Sequence, residues 1–177
     1  LSQVFVRMAA RMFVRICGWT GMDYSRCMPT PVYFEASRVL PYGADAVFAE
    51  LIDWAGHAAW VPLTRVEITA GDGGEGTEFI ATSGLGPLAL PDRMRVVALD
   101  MHARTAQIEK VGPLLTGRVT LSVVPVTEWN ARVDWVEDIE VRHLPGVLAR
   151  PIARAARLAF ERALVSMARH MRAQTAG

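Results

Sequence analysis

A chain of 177 residues that is 51% hydrophobic and 21% charged is long enough for one globular domain with a sizeable core, and its composition excludes disorder and collagen-like repeats. Its formal net charge of +1 excludes the clearly basic footprint of a nucleic-acid reader. Its two cysteines, Cys17 and Cys27, both lie in the first segment, so no disulfide framework or CxxC site is available and a reducing, cytoplasmic setting is expected.

Residues 1–27 carry Arg7, Arg11 and Arg15 at a four-residue spacing, which on a helix forms one basic stripe beside an apolar face. The arginines interrupt the apolar run too often for a membrane-spanning helix or a secretory signal. We read this segment as an over-extended start, with Met22 or Met28 the natural first residue, or else as an amphipathic segment lying on a membrane surface. The domain itself is expected over residues 28–177.

PVYFEASRVL (31–40) alternates as a strand does. ADAVFAELIDW (44–54) then changes to helical spacing, with Val47, Leu51 and Trp54 along one stripe and Asp45 near the N-terminus, where an acidic group suits the helix dipole. Gly56 and Pro62 limit how far helix continues, and Trp60 falls between them. The two tryptophans, six residues apart, either plug a core or wall a cavity.

Short alternating runs follow, divided by turn residues: TRVEIT (64–69), AGDGGEG (70–76), TEFIATS (77–83), GLGPLALPD (84–92), RMRVVAL (93–99), ARTAQIEKV (103–111), GRVTLSVV (117–124) and ARVDWVEDIEV (131–141). This punctuation argues antiparallel connections. From about Val147 to Arg172 an apolar stripe through Ile152, Ala156, Phe160, Ala163, Leu164, Met167 and Met171 opposes an arginine-rich face. That face reads as solvated, with contact to acidic lipid the less favoured alternative. The expected class is α+β: a curved antiparallel sheet of about seven strands wrapped around a long C-terminal helix, with two short helices after the first strand.

This element order, together with AVFAELIDW, WVPLTRVEI, GGEGTEF, the run from Arg93 to Val97 and WVEDIE, resembles the SRPBCC or START-like (Bet v 1-like) superfamily, in particular its bacterial polyketide cyclase/dehydrase-like members. The similarity spans roughly residues 32–170. It implies a helix-grip fold with a deep cavity between sheet and C-terminal helix. It implies binding or transport of a small hydrophobic ligand, lipid or polyketide-like, or alternatively a polyketide cyclase or dehydratase using the same cavity. It carries no fixed catalytic set and no cofactor, and oligomeric state is left open.

Alternation lets the cavity lining be read strand by strand. The inward set is Val66 and Ile68, then Phe79 and Ala81, then Met94, Val96 and Ala98, then Ile108 and Lys110. It continues with Val119, Leu121 and Val123 and with Val133, Trp135, Glu137 and Ile139, faced by Phe160, Leu164 and Met167 of the final helix. Trp54 and Trp60 join the wall. Such a lining suits an apolar ligand and equally a filled core.

Lys110, the only lysine, and Glu137 fall in phase with these apolar neighbours, and a buried charge is costly unless paired. Their strands run the same way with one strand between, which brings both to the same end of the cavity. They pair directly or through a ligand's polar group; otherwise a bulge shifts the phase and turns one of them out to solvent. If both point inward, a carboxylate raised by burial or a lysine lowered by it is a candidate for proton transfer to a carbonyl-bearing substrate.

His57 reads as a capping or rim residue ahead of a general base, having no carboxylate spaced to orient it. His102, His143 and His170 are scattered without metal-ligand spacing. Ser83 lacks the GxSxG elbow of a nucleophile, and AGDGGEG joins two strands as a hairpin turn without a helix N-terminus to hold phosphate.

Overall fold

The computed structural model describes residues 28–84 and 89–175. The basic segment 1–27, with both cysteines, lies outside the described residues. In chain order the elements are β1 (Thr30–Leu40), α1 (Ala44–Ile52), α2 (His57–Trp60), β2 (Thr64–Ala70), β3 (Glu78–Ser83), β4 (Leu90–Asp100), β5 (Thr105–Val111), β6 (Leu115–Thr127), β7 (Asn130–Val141), a 3₁₀ turn (Gly146–Leu148) and α3 (Ala149–Thr175).

The strands form one sheet of seven in the order β1-β7-β6-β5-β4-β3-β2, every neighbouring pair antiparallel. Hairpins join β2 through β7 in sequence, and only the β1–β7 pairing is distant along the chain. Alternation puts Val32, Phe34 and Ala36 of β1 and Val133, Trp135, Glu137 and Ile139 of β7 on the inner face, where all are buried. The sheet and helices are those of a helix-grip fold, as the pattern implied.

α3 crosses the inner face unevenly. In its second half Ala163, Leu164, Met167 and Met171 are fully buried, whereas in its first half Ile152, Ala153, Ala156 and Phe160 are only half-buried. Tyr42 donates its hydroxyl to the Ala168 carbonyl at 3.0 Å, fixing the sealed half to the β1–α1 connection. The core divides accordingly. A large cluster runs from Phe34 through Trp54, Trp60 and Trp135 to Met167, and a small one groups Val32, Ile139 and Leu144 beneath Leu148, Ala149 and Ile152. Ala153 packs against both.

Three sequence expectations are corrected. GLGPLALPD is not a run of its own: β4 begins at Leu90, with Pro91 near its start, where a missing N–H is tolerated. A bulge between Val96 and Ala98 reverses the phase of β4, so that Ala98 pairs with outward Gln107 and Leu99 takes the inward place opposite buried Ala106. Ile68 pairs with inward Phe79, yet on the edge strand it remains 38% exposed.

Gly117 stands in the inner-face row between Lys110 and Ile139, with φ +125. A methyl group there would sit 2.4 Å from the Asp138 carbonyl oxygen and 2.6 Å from Ile139 Cα, so any side chain forces β6 away from β7. Gly73 shares the left-handed backbone (φ +103) but has open space around it. Gly73→Ala is expected to cost about 1 kcal/mol of strain and Gly117→Ala about 2–4 kcal/mol. Urea denaturation of both variants checks the difference; equal losses would mean that the clash is absorbed.

Candidate functional site

The sheet brings three charged side chains together inside the domain. Lys110 Nζ donates to Asp92 Oδ2 at 2.5 Å and lies 3.3 Å from Glu137 Oε2. Lys110 is 7% and Glu137 3% exposed while the Asp92 side chain is 13% exposed, so this is a largely buried ion cluster. Three strands supply it. Lys110 on β5 sits opposite Met94 and Gly117, and Glu137 on β7 sits opposite Val119, one inward position along. Because Gly117 has no side chain, the Lys110 stem crosses β6 unobstructed. Asp92 lies two residues from Met94 on β4, on the other side of the ammonium. On β7, Glu137 lies between Trp135 of the large core group, whose ring meets Phe160 of α3, and Ile139 of the small group, against which Ile152 of α3 packs.

Three of the four carboxylate oxygens are engaged, since Glu137 Oε1 also accepts the Trp135 indole N–H at 3.0 Å. The fourth, Asp92 Oδ1, is buried and no donor among the described residues reaches it. Burial raises the Asp92 carboxyl above its ordinary value, and Glu137 pushes the same way, against the pull of Lys110. For Lys110, burial lowers the ammonium, but Glu137 and Asp92 together outweigh it and the net shift is upward. The direction for Lys110 is thus opposite to the lowering that burial alone would give. The raised carboxyl is Asp92, which lies in the GLGPLALPD run and is not among the inward residues read from the sequence.

Aromatic rings continue the site. Phe79 stacks on Trp54 at 5.4 Å, Trp54 meets His57 at 5.7 Å, and His57 touches Trp60 at 4.6 Å. From His57 the chain of contacts passes to Trp135 (6.2 Å), then Phe160 (4.6 Å) and Phe34 (5.3 Å). The two neighbouring tryptophans have different roles. Trp54 donates its N–H to the Gly73 carbonyl at 2.8 Å and thereby anchors the glycine hairpin. Trp60, 1% exposed, has a buried indole N–H with no acceptor among the described residues.

His57 is a core residue, not a rim one. Its Nε2–H donates to the Leu51 carbonyl at 2.8 Å, and burial holds the imidazole below its usual range, against upward pulls from that hydrogen bond and from Asp53.

Of the remaining lining residues, Val96, Ile108, Leu121, Ile139 and Leu164 are buried on the inner face, and Met94 there is half-buried. No group of three or more His, Cys, Asp or Glu among the described residues is placed to hold a metal ion. A solvent-open groove of about 520 Å³ lies on the opposite face of the sheet, lined by Tyr33, Glu109, Arg118 and Asp138 among others, and shares no charged group with the cluster.

A curled sheet gripping one helix over an apolar interior with a buried ion cluster defines a START-like domain. Residues 31–172 match the model of the family described as polyketide cyclase / dehydrase and lipid transport, and the chain belongs to that family. Among solved structures it is similar to a Thermus thermophilus protein (TM-score 0.70, 16% identity, 80% of this chain and 98% of that one). It is also similar to a START superfamily protein from Mycobacterium smegmatis (0.68, 13%, 78% and 98%). A third is the Zhui aromatase/cyclase from Streptomyces (0.65, 18%, 78% and 94%). No curated protein matches the chain in sequence. Among the described residues, no helix is long and apolar enough to cross a membrane.

Two predictions follow from the charges. Lys110→Met leaves two carboxylates buried without a cation and is expected to lose about 3–5 kcal/mol. Asp92→Asn is expected to melt at or above the parent temperature at pH 7, because the folded interior disfavours the Asp92 charge. Thermal melts at pH 7 separate the pair, and an Asp92→Asn loss as large as that of Lys110→Met would refute the assignment.

The second prediction concerns acid. Unfolded His57 titrates near 6.5 and folded His57 lower, so between the two values the folded chain binds fewer protons. Its contribution to stability is full above 6.5 and is lost as pH falls through the folded value. Asp92 acts in the opposite sense, favouring the fold as pH falls through its own raised value. His57→Gln is expected to flatten the loss on the acid side in denaturation curves from pH 7 to 4.5, and an unchanged slope would place that loss elsewhere.

Proposed function

We propose that the protein binds a small hydrophobic ligand, lipid or polyketide-like, between the sheet and α3, and holds or carries it in the cytoplasm. The observation that carries this reading is the contrast along α3. Its second half is sealed with leucine and methionine, while its first half presents half-buried alanines and a half-buried Phe160 that meets Trp135, the indole bonded to Glu137. Small side chains that stay partly accessible on an inner face leave room beside them; a filled core buries them. The aromatic contacts from Phe79 to Phe34 offer rigid apolar surface to such a ligand, and Trp60 offers it a hydrogen bond.

A second reading, a cyclase or dehydratase, is favoured by the cluster itself. Asp92, raised by burial and hydrogen-bonded to Lys110, is suited to move a proton to or from a carbonyl-bearing substrate, with Glu137 keeping the ammonium in place. The aromatase/cyclase among the structural neighbours lends support to chemistry of this kind in the fold.

Filling the space tests both readings. Ala156→Phe in a packed core overpacks and costs about 1–3 kcal/mol. Over an open cavity it is tolerated, and it is expected to abolish the tryptophan quenching and rise in melting temperature that apolar ligands cause in the parent. Destabilisation by Ala156→Phe in a parent that binds no lipid or aromatic compound would overturn the ligand-binding reading.

A further inference from the structure

We propose that the ligand held beneath α3 is an apolar alcohol or phenol whose hydroxyl donates to Asp92 Oδ1, and that the same site rejects molecules headed by a carboxylate. This rests on the ligand-binding reading above and adds the chemistry of the ligand's polar end.

The valences of the cluster carry the argument. Lys110 is already committed to two carboxylates, at 2.5 Å and 3.3 Å. Glu137 is engaged by Lys110 on one oxygen and by Trp135 on the other. The carboxylate oxygen left over is Asp92 Oδ1, buried and without a donor among the described residues. A buried carboxylate oxygen needs a donor. The second buried polar atom relevant to the interior is the Trp60 indole N–H, which lacks an acceptor. An oxygenated apolar molecule with a hydroxyl offers both a donor and lone pairs, whereas a carboxylate offers lone pairs only.

Charge excludes the carboxylate independently. The cluster holds one cation against two acidic groups, and the described residues bring no further cation within ion-pair distance of it. A carboxylate ligand adds a third acid where low polarity makes like-charge repulsion strong. A lipid-binding site built for fatty acids would offer a cation not already neutralised, and here the one lysine faces two carboxylates. The upward shift of Asp92 agrees with a carboxyl held in place without enough compensation from the fold.

Three naphthalenes of one shape test the inference: 2-naphthol, 2-naphthoate and unsubstituted naphthalene, each displacing the neutral probe N-phenyl-1-naphthylamine at pH 7. The expected result is that 2-naphthol binds about tenfold or more tighter than 2-naphthoate, the size of one hydrogen bond to a charged group. In Asp92→Leu that ratio is expected to fall to about threefold or less while naphthalene affinity barely changes; Asp92→Asn, which keeps the shape, serves if the leucine variant does not fold. Naphthoate binding as tightly as naphthol overturns the proposal. So does a ratio unchanged by either Asp92 variant, which would mean that water alone satisfies Oδ1. In both cases naphthalene binding leaves the cavity reading intact. If neither the probe nor any of the three binds, the ligand-binding reading fails first and the proposal with it.

Discussion

One buried ammonium holds the interior together. Strands β4, β5 and β7 each project a charged side chain into an apolar space, and only because Lys110 lies between Asp92 and Glu137 can the two carboxylates share it. Removing ions from water costs several kcal/mol each, so the cluster is not the cheapest way to build this core. A set of well-packed apolar residues would do as well or better. The cluster also divides the apolar contacts into two groups that meet only at Ala153. An arrangement that adds cost and interrupts packing is the kind kept for binding or chemistry.

The backbone is shaped around the same place. Gly117, with no room for a side chain, opens the path by which Lys110 reaches across β6. The bulge after Val96 turns β4 so that Leu99, not Ala98, continues the inner face beyond the cluster. α3 completes the enclosure asymmetrically: its methionine-rich half closes one end of the grip and its alanine-rich half stands off from the other. The rigid part of the site is therefore sheet, and the side with room is helix. That division suits a container whose polar group is fixed while its apolar volume adapts to what enters.

Much of the fold was legible because it rests on repetition. Alternation gave the inner faces of β5, β6 and β7, and helical spacing gave α1 and α3, since each pattern is repeated over many residues. Lys110 and Glu137 were legible for the same reason, as charges that keep phase with apolar neighbours. Asp92 was not, because GLGPLALPD was read as a run separate from RMRVVAL, whereas β4 begins at Leu90 and continues through Asp92, so the start of β4 was placed too late. Ala98 was misassigned by a bulge, which inserts one residue and leaves no compositional mark. His57 was read as a rim residue because burial of a lone histidine depends on which rings close over it, and Trp60 and Trp135 approach it from different elements.

The same contrast explains why so distant a set of structures shares this fold. At 13–18% identity the neighbours still align over most of their length, because many sequences satisfy an alternating sheet and one amphipathic helix. The fold therefore supplies a container and says little about its contents. What distinguishes one such container from another is the small number of inward positions where the apolar rule is broken. In this chain such positions include Asp92, Lys110, Glu137 and His57, and the atoms among them and Trp60 that lack a partner among the described residues are Asp92 Oδ1 and the Trp60 indole N–H. On the proposal above, a ligand is selected by what it does for those two atoms, since the apolar walls accept any molecule of suitable size. Specificity would then reside in the leftover hydrogen bonds of an ion cluster whose other carboxylate oxygens are already engaged.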